Sequence, residues 1–159
     1  MKKYLVRTLI CKLHMKNTEV TNEEFFSYLY DSKKVKKWFN TVPMIWFTTT
    51  GDRFDVNEIT YFHILPIPFH YGIRCRELLP DHRGMLVDII GPLKGYGRFE
   101  LIPDKDGILL HHELNLQAKN KLVHYYYGLI AKGHDRYMKK RLGVLKKLLI
   151  EEHKKNEAK

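Results

Sequence analysis

Three consecutive residues, His111-His112-Glu113, have the side-chain types that hold metal ions, and upstream Tyr96, Arg98 and Glu100 recur at every second position. Imidazole nitrogens and carboxylates bind zinc-like ions in tetrahedral sets. Histidine also titrates near neutral pH and serves as a general acid or base. Neighbours along a strand point to opposite faces, so the His-His-Glu run splits, and no second cluster completes a metal site. No metal is expected. The sequence has no Ser–His–Asp or Cys–His arrangement, no phosphate loop and no dinucleotide fingerprint, so no cofactor is expected either. Cys11 and Cys75, too few and too far apart to read as a metal motif, read as reduced core thiols.

The elements that must position these side chains can be read along the chain. Tyr4 to His14, rich in Leu, Val, Ile and Thr, reads as a strand. Thr21 and Glu24 have capping-box spacing ahead of Phe25, Phe26, Leu29 and Tyr30, which predicts a short helix. Asp31 or Ser32 caps a second one carrying Val35, Trp38 and Phe39, and Pro43 stops it. Six strand-like segments follow: Ile45 to Thr50, Asn57 to Leu65, Phe69 to Leu79, Gly84 to Ile90, Lys94 to Ile102 and Ile108 to Gln117. Their short Gly-, Pro- and Asp-containing connections make neighbours antiparallel.

From Lys121 to about His153 one amphipathic helix fills the rest of the chain. Val123, Tyr127, Ile130, His134, Tyr137, Met138, Leu145 and Leu148 gather on one side of it. With no other long helix to pair with, it has to lay that side on the sheet. A curved sheet around one helix tends to leave a cavity. Arg141 falls within the apolar side and needs an acidic partner, helix-terminal carbonyls, or an escape past the sheet edge. Gly128 and Gly133 each cost a helix about 1 kcal/mol against Ala, and a bend or a close approach to the sheet would account for them.

The 159 residues make one ordinary domain, 1–159, with enough chain for a real core. The 44% hydrophobic and 29% charged residues are a soluble globular balance, and no window reaches the roughly 18 apolar residues of a membrane span. Met1-Lys2-Lys3 followed by an apolar stretch imitates a signal peptide, but Arg7 and Lys12 interrupt it and no small-residue cleavage site follows, so a cytoplasmic protein is expected. The net charge of +10 allows an anionic partner, either nucleic acid or a membrane surface. Recognisable nucleic-acid modules are missing, so nucleic acid is not expected, while peripheral contact with an anionic membrane stays open.

The order strand, two short helices, six strands, long helix resembles the START-like superfamily, also called SRPBCC or helix-grip proteins. The stretch from Ile64 to Leu116 is similar to its bacterial polyketide cyclase/dehydrase-like, ligand-binding branch. The residues that carry the likeness are Pro66 to Phe69, Tyr71, Glu77, Pro80, Gly91-Pro92, Tyr96, Pro103 and Asp106-Gly107. The resemblance implies an α+β fold: a seven-stranded curved antiparallel sheet around the C-terminal helix, two short helices after the first strand, and an internal apolar pocket. It implies no shared catalytic set. In that branch Trp and His residues after the Gly-Pro strand point inward, and here the corresponding positions are Tyr96, Arg98 and Glu100.

By that comparison the Tyr96, Arg98 and Glu100 face looks into the pocket, where the charged pair would orient a polar ligand head. The opposite register would put Phe99 and Leu101 in the core and the charges in water. Alternation groups His112 with Leu110, Leu114 and Leu116, Tyr71 with Ile73 and Cys75, and Tyr61 with His63 and Leu65. The candidate ligand-binding residues are therefore Tyr61, His63, Tyr71, Ile73, Tyr96, Arg98, Glu100, His112, Leu114, Tyr127, Ile130 and His134. The function expected is binding or carriage of a small hydrophobic or amphipathic molecule, such as a lipid, isoprenoid or aromatic polyketide. The alternatives are a cyclase or dehydratase using Arg98, Glu100 and His112, or a protein acting through its basic surface. A binding protein is favoured over an enzyme, and the oligomeric state is left open.

Overall fold

From the second strand to the last, consecutive strands pair as hairpins, and the first strand then closes onto the last. The structure, a computed structural model, describes residues 4–159. Met1–Lys3, part of the expected domain and of the signal-like start, lie outside the described residues. The elements are β1 (Arg7–Lys16), α1 (Asn22–Tyr30), α2 (Ser32–Phe39), β2 (Ile45–Thr49), β3 (Ile59–Ile64), β4 (Tyr71–Leu79), β5 (Gly84–Ile90), β6 (Leu93–Asp104), β7 (Gly107–Ala118) and α3 (Lys121–Glu157). They form one seven-stranded antiparallel sheet in the order β1-β7-β6-β5-β4-β3-β2, curled around α3.

Strands β1 and β2 are neighbours in sequence but lie at opposite edges, so α1 and α2 must carry the chain between them. Both helices start where local chemistry sets them. The Glu24 amide donates to Thr21 Oγ1 at 3.2 Å, and the Thr21 amide donates back to Glu24 Oε2 at 2.9 Å. Asp31 Oδ1 accepts from the amides of Lys33 and Lys34 at 2.8 and 3.2 Å, so Asp31 rather than Ser32 is the second cap.

Helix α3 runs past both short helices. Its C-terminal half buries Met138, Leu142, Leu145 and Leu149 in a continuous core with Met15, Phe25, Leu101 and Leu110. Burial of each such side chain is worth about 1.5–3 kcal/mol. Arg141 finds one of its expected partners, since its Nε donates to the Trp38 carbonyl in the last turn of α2. One turn earlier the Tyr137 hydroxyl donates to the Phe39 carbonyl. The α3 glycines make no close approach to the sheet. A methyl group added at Gly133 would meet nothing within 4 Å, and one at Gly128 only the end of Arg7. Among the described residues no helix is long and apolar enough to cross a membrane.

Candidate functional site

The N-terminal half of α3 stands off the sheet and leaves a cavity of about 350 Å³. Val35, Trp38 and Phe39 of α2 wall one end, and Ile45, Phe47, Phe62 and Ile64 of β2 and β3 continue the wall. Tyr71 and Ile73 of β4, Met85 of β5, Phe99 of β6, and His112 and Leu114 of β7 form the floor. Tyr126, Leu129, Ile130, Gly133, His134, Tyr137 and Met138 of α3 form the roof. Phe39 packs edge-on against Phe47, Phe62 and Tyr137, which stiffens the aromatic end. Leu65 and Leu129 line the cavity and are also 46% and 49% exposed, so the mouth lies between the β3–β4 loop and a flank of α3.

Besides the Tyr126 and Tyr137 hydroxyls, two histidines and Tyr71 break this apolar lining. His112 is 4% exposed, lies 4.2 Å from the Phe99 ring between centroids, and its Nδ1 has no hydrogen-bond partner. Burial, with His134 and His111 adding to it, pushes the imidazole down to about 3, so it is neutral at ordinary pH. His134 is also pushed down by burial, with Asp135 opposing. Burial, then Tyr127 and Tyr137, pushes the phenol of the cavity-lining Tyr71 up. The lining thus offers neutral hydrogen-bonding groups and no buried charge.

The structure brings Tyr71, Ile73, His112, Leu114, Ile130 and His134 together around the cavity. It does not bring in the other expected residues. On β6 the inner face is taken by Gly97, Phe99 and Leu101, and Tyr96, Arg98 and Glu100 lie on the outer face, Tyr96 being 49% exposed. This corrects the inward register expected for them. Burying three apolar positions costs nothing polar, whereas turning the strand over would strip two charges of water. Outside, Arg98 Nε and Nη2 both donate to Glu100 Oε2 at 2.7 Å.

On β3 it is Phe62 and Ile64 that line the cavity, so Tyr61 and His63 are on the outer face. There His63 stacks on Trp46 and lies 3.1 Å from Thr48 Oγ1, and Tyr61 meets the His70 ring. Tyr127 is fully buried but packs beneath the Arg7 guanidinium instead of in the cavity wall. The His111-His112-Glu113 run splits as alternation requires, with His111 and Glu113 outside and 3.2 Å apart. The aromatic end contributed by α2 and β2 was not anticipated, although Trp38 and Phe39 sit next to each other in an otherwise lysine-rich helix.

No protein-family model and no curated protein matches the chain in sequence. Solved structures do resemble it. A point mutant of Thalictrum flavum norcoclaurine synthase in complex with a transition state analogue superposes with a TM-score of 0.66 at 16% identity, over 96% of this chain and 99% of that one. The same enzyme in complex with dopamine and hydroxybenzaldehyde gives 0.64 at 16% identity, over 94% and 89%. Protein Ms6760 from Mycobacterium smegmatis gives 0.62 at 9% identity, over 89% and 90%. At these identities the likeness is one of fold, and that fold is the START-like, or SRPBCC, helix-grip fold.

Proposed function

We propose that the protein binds or carries a small hydrophobic or amphipathic molecule, of lipid, isoprenoid or aromatic-polyketide type, in the cavity between α3 and the sheet. The observation that carries this reading is an apolar chamber of about 350 Å³ whose polar content is neutral and includes an imidazole nitrogen without a partner. A well-packed core leaves few voids larger than a water molecule, and pockets of a few hundred cubic ångströms are the size class of ligand sites. An unpartnered buried polar atom costs about 1–3 kcal/mol, a cost that a ligand hydroxyl or carbonyl would recover. The dominance of aromatic rings favours a flat or unsaturated ligand over a long saturated chain.

The enzymatic alternative is weaker. Arg98 and Glu100 lie on the far side of the sheet from the cavity, so of the expected acid–base set only His112 lines it, neutral and with no hydrogen bond to its Nδ1. The test is titration with the neutral fluorophore N-phenyl-1-naphthylamine, compared between the native protein and an Ile130→Trp variant that fills the chamber. Saturable one-to-one binding that Ile130→Trp weakens at least tenfold supports the reading. No saturable binding, or binding indifferent to the substitution, overturns it. Native mass spectrometry of protein purified from its own host would then weigh the natural ligand.

A further inference from the structure

We propose that Cys11, His134 and Asp135 form a binding site for a zinc-type divalent ion. Cys11 is on the edge strand β1, and His134 and Asp135 are consecutive in α3. Cys11 Sγ lies 3.9 Å from His134 Nδ1, and Asp135 Oδ1 lies 3.5 Å from the same nitrogen. All three ligand atoms lie within 4.8 Å of one another. Around a tetrahedral zinc ion with bonds of about 2.0–2.3 Å, donor atoms stand roughly 3.3–3.7 Å apart. The two spacings to Nδ1 are already close to that. The Asp135 side chain is 78% exposed, so it is free to rotate and close the third.

Hydrogen bonding alone does not explain the cluster. Sulfur and carboxylate oxygen both approach one ring nitrogen, which has either one hydrogen or one lone pair to offer, and both distances are long for a hydrogen bond. An ion among the three would satisfy all of them. The donor set also selects the ion. Lys12 and Lys139 border the same groove as Cys11 and Asp135 and oppose any cation by charge. Binding must then come from sulfur and nitrogen coordination, which favours zinc or cobalt and disfavours magnesium and calcium. The groove between β1 and α3 leads from solvent to Cys11 and Asp135, so an ion has a way in. Cys11 would bind as thiolate, its proton passing to solvent, and three protein ligands would leave a fourth position for water.

The site adjoins the cavity, since His134 also lines the cavity roof, but its test reads a metal ion directly and needs no ligand in the cavity. One equivalent of Co(II) added to the reduced full-length protein should give a thiolate-to-cobalt charge-transfer band and visible bands of four-coordinate intensity, which Zn(II) abolishes and a large excess of Mg(II) does not. Cys75→Ser should keep the band, and Cys11→Ser should lose it. His134→Ala and Asp135→Asn should weaken Co(II) binding by about tenfold or more. Because Cys11→Ser could unfold the chain, the second measurement uses native protein: Zn(II) should slow alkylation of Cys11 at least tenfold, with the modified residue mapped by mass spectrometry. Absence of the charge-transfer band, a band that survives Cys11→Ser, or alkylation of Cys11 unaffected by Zn(II) would each overturn the proposal.

Discussion

His112 and the Arg98–Glu100 pair show what alternation along a strand can and cannot settle. On β7 the inner set Leu110, His112, Leu114 and Leu116 follows directly from the sequence, because the outer positions are polar. On β6 two frames compete, one aromatic and charged, the other glycine and apolar, and resemblance to relatives favoured the wrong one. The plain hydrophobic pattern, Leu93, Gly97, Phe99 and Leu101 against Lys94, Arg98 and Glu100, was the better guide. Cys11 and His134 were not legible as neighbours at all, since 123 residues separate them and only the closure of β1 against α3 joins them. Two predictions belong here. His112→Leu removes an unpartnered buried nitrogen at similar volume, so it should stabilise the ligand-free protein by about 1 kcal/mol while weakening the bound fluorophore. A lowered melting temperature for this variant would show that the imidazole is partnered. Glu100→Ala should cost about 1 kcal/mol, because it leaves a half-exposed guanidinium, and Arg98→Ala somewhat more, because the Glu100 side chain is only 15% exposed. Both should leave fluorophore binding unchanged, because the pair is outside the cavity. Chemical denaturation of the single and double variants reads this directly.

Between elements, the informative contacts are those that tie α3 to the two short helices. Capping chemistry placed α1 and α2 to the residue, and Gly and Pro placed the turns; what the sequence did not show was which helix ends α3 would serve. Arg141 was legible only as an anomaly in an apolar stripe. In the fold it supplies a positive charge and a donor to the carbonyl end of α2, where the helix dipole is negative. Arg141→Met should therefore destabilise by about 1–3 kcal/mol, more than its exposed neighbours on α3 would, and an unchanged melting temperature would refute the capping role. Glu24 ties α1 to the other end of α3. Its carboxylate accepts from the Thr21 amide and from Asn156 Nδ2 at 2.8 Å, and His153 Nδ1 lies 2.8 Å away. Burial alone would raise its pKa, but these hydrogen bonds and the charge of His153 together hold it below the usual carboxylate range. A depressed folded-state pKa means that the unfolded chain takes up the proton first as pH falls. The stabilisation is thus complete above the ordinary carboxylate pKa and disappears as pH falls through the folded value. Melting temperature should fall more steeply from about pH 5 downward in the native protein than in Glu24→Gln, and parallel curves would show that the carboxylate is not the source.

The whole molecule divides along α3 into a solid half and a hollow half. Toward the C-terminus Met138, Leu142, Leu145, Leu149 and His153 are buried in register, each about one turn from the next. Toward the N-terminus only Val123 and Tyr127 are fully buried residues, and between Tyr127 and Met138 there is none, although the His134 side chain keeps only 10% of its surface. That interval is the roof of the cavity, and it also contains Gly128 and Gly133, each of which weakens a helix by about 1 kcal/mol. Helix amides are protected by packing more than by propensity, so local opening should be easiest where packing and propensity are both lacking. In hydrogen exchange, amides of Gly128 to Tyr137 should exchange faster than those of Met138 to His153, and bound fluorophore should slow the first group much more than the second. Gly133→Ala adds a methyl that touches nothing, and should slow exchange of the roof by roughly fivefold through helix propensity alone. Uniform protection along α3, unaltered by ligand, would mean that the roof is as firmly packed as the core. The cavity would then have no means of admitting a molecule through the flank where Leu65 and Leu129 are exposed.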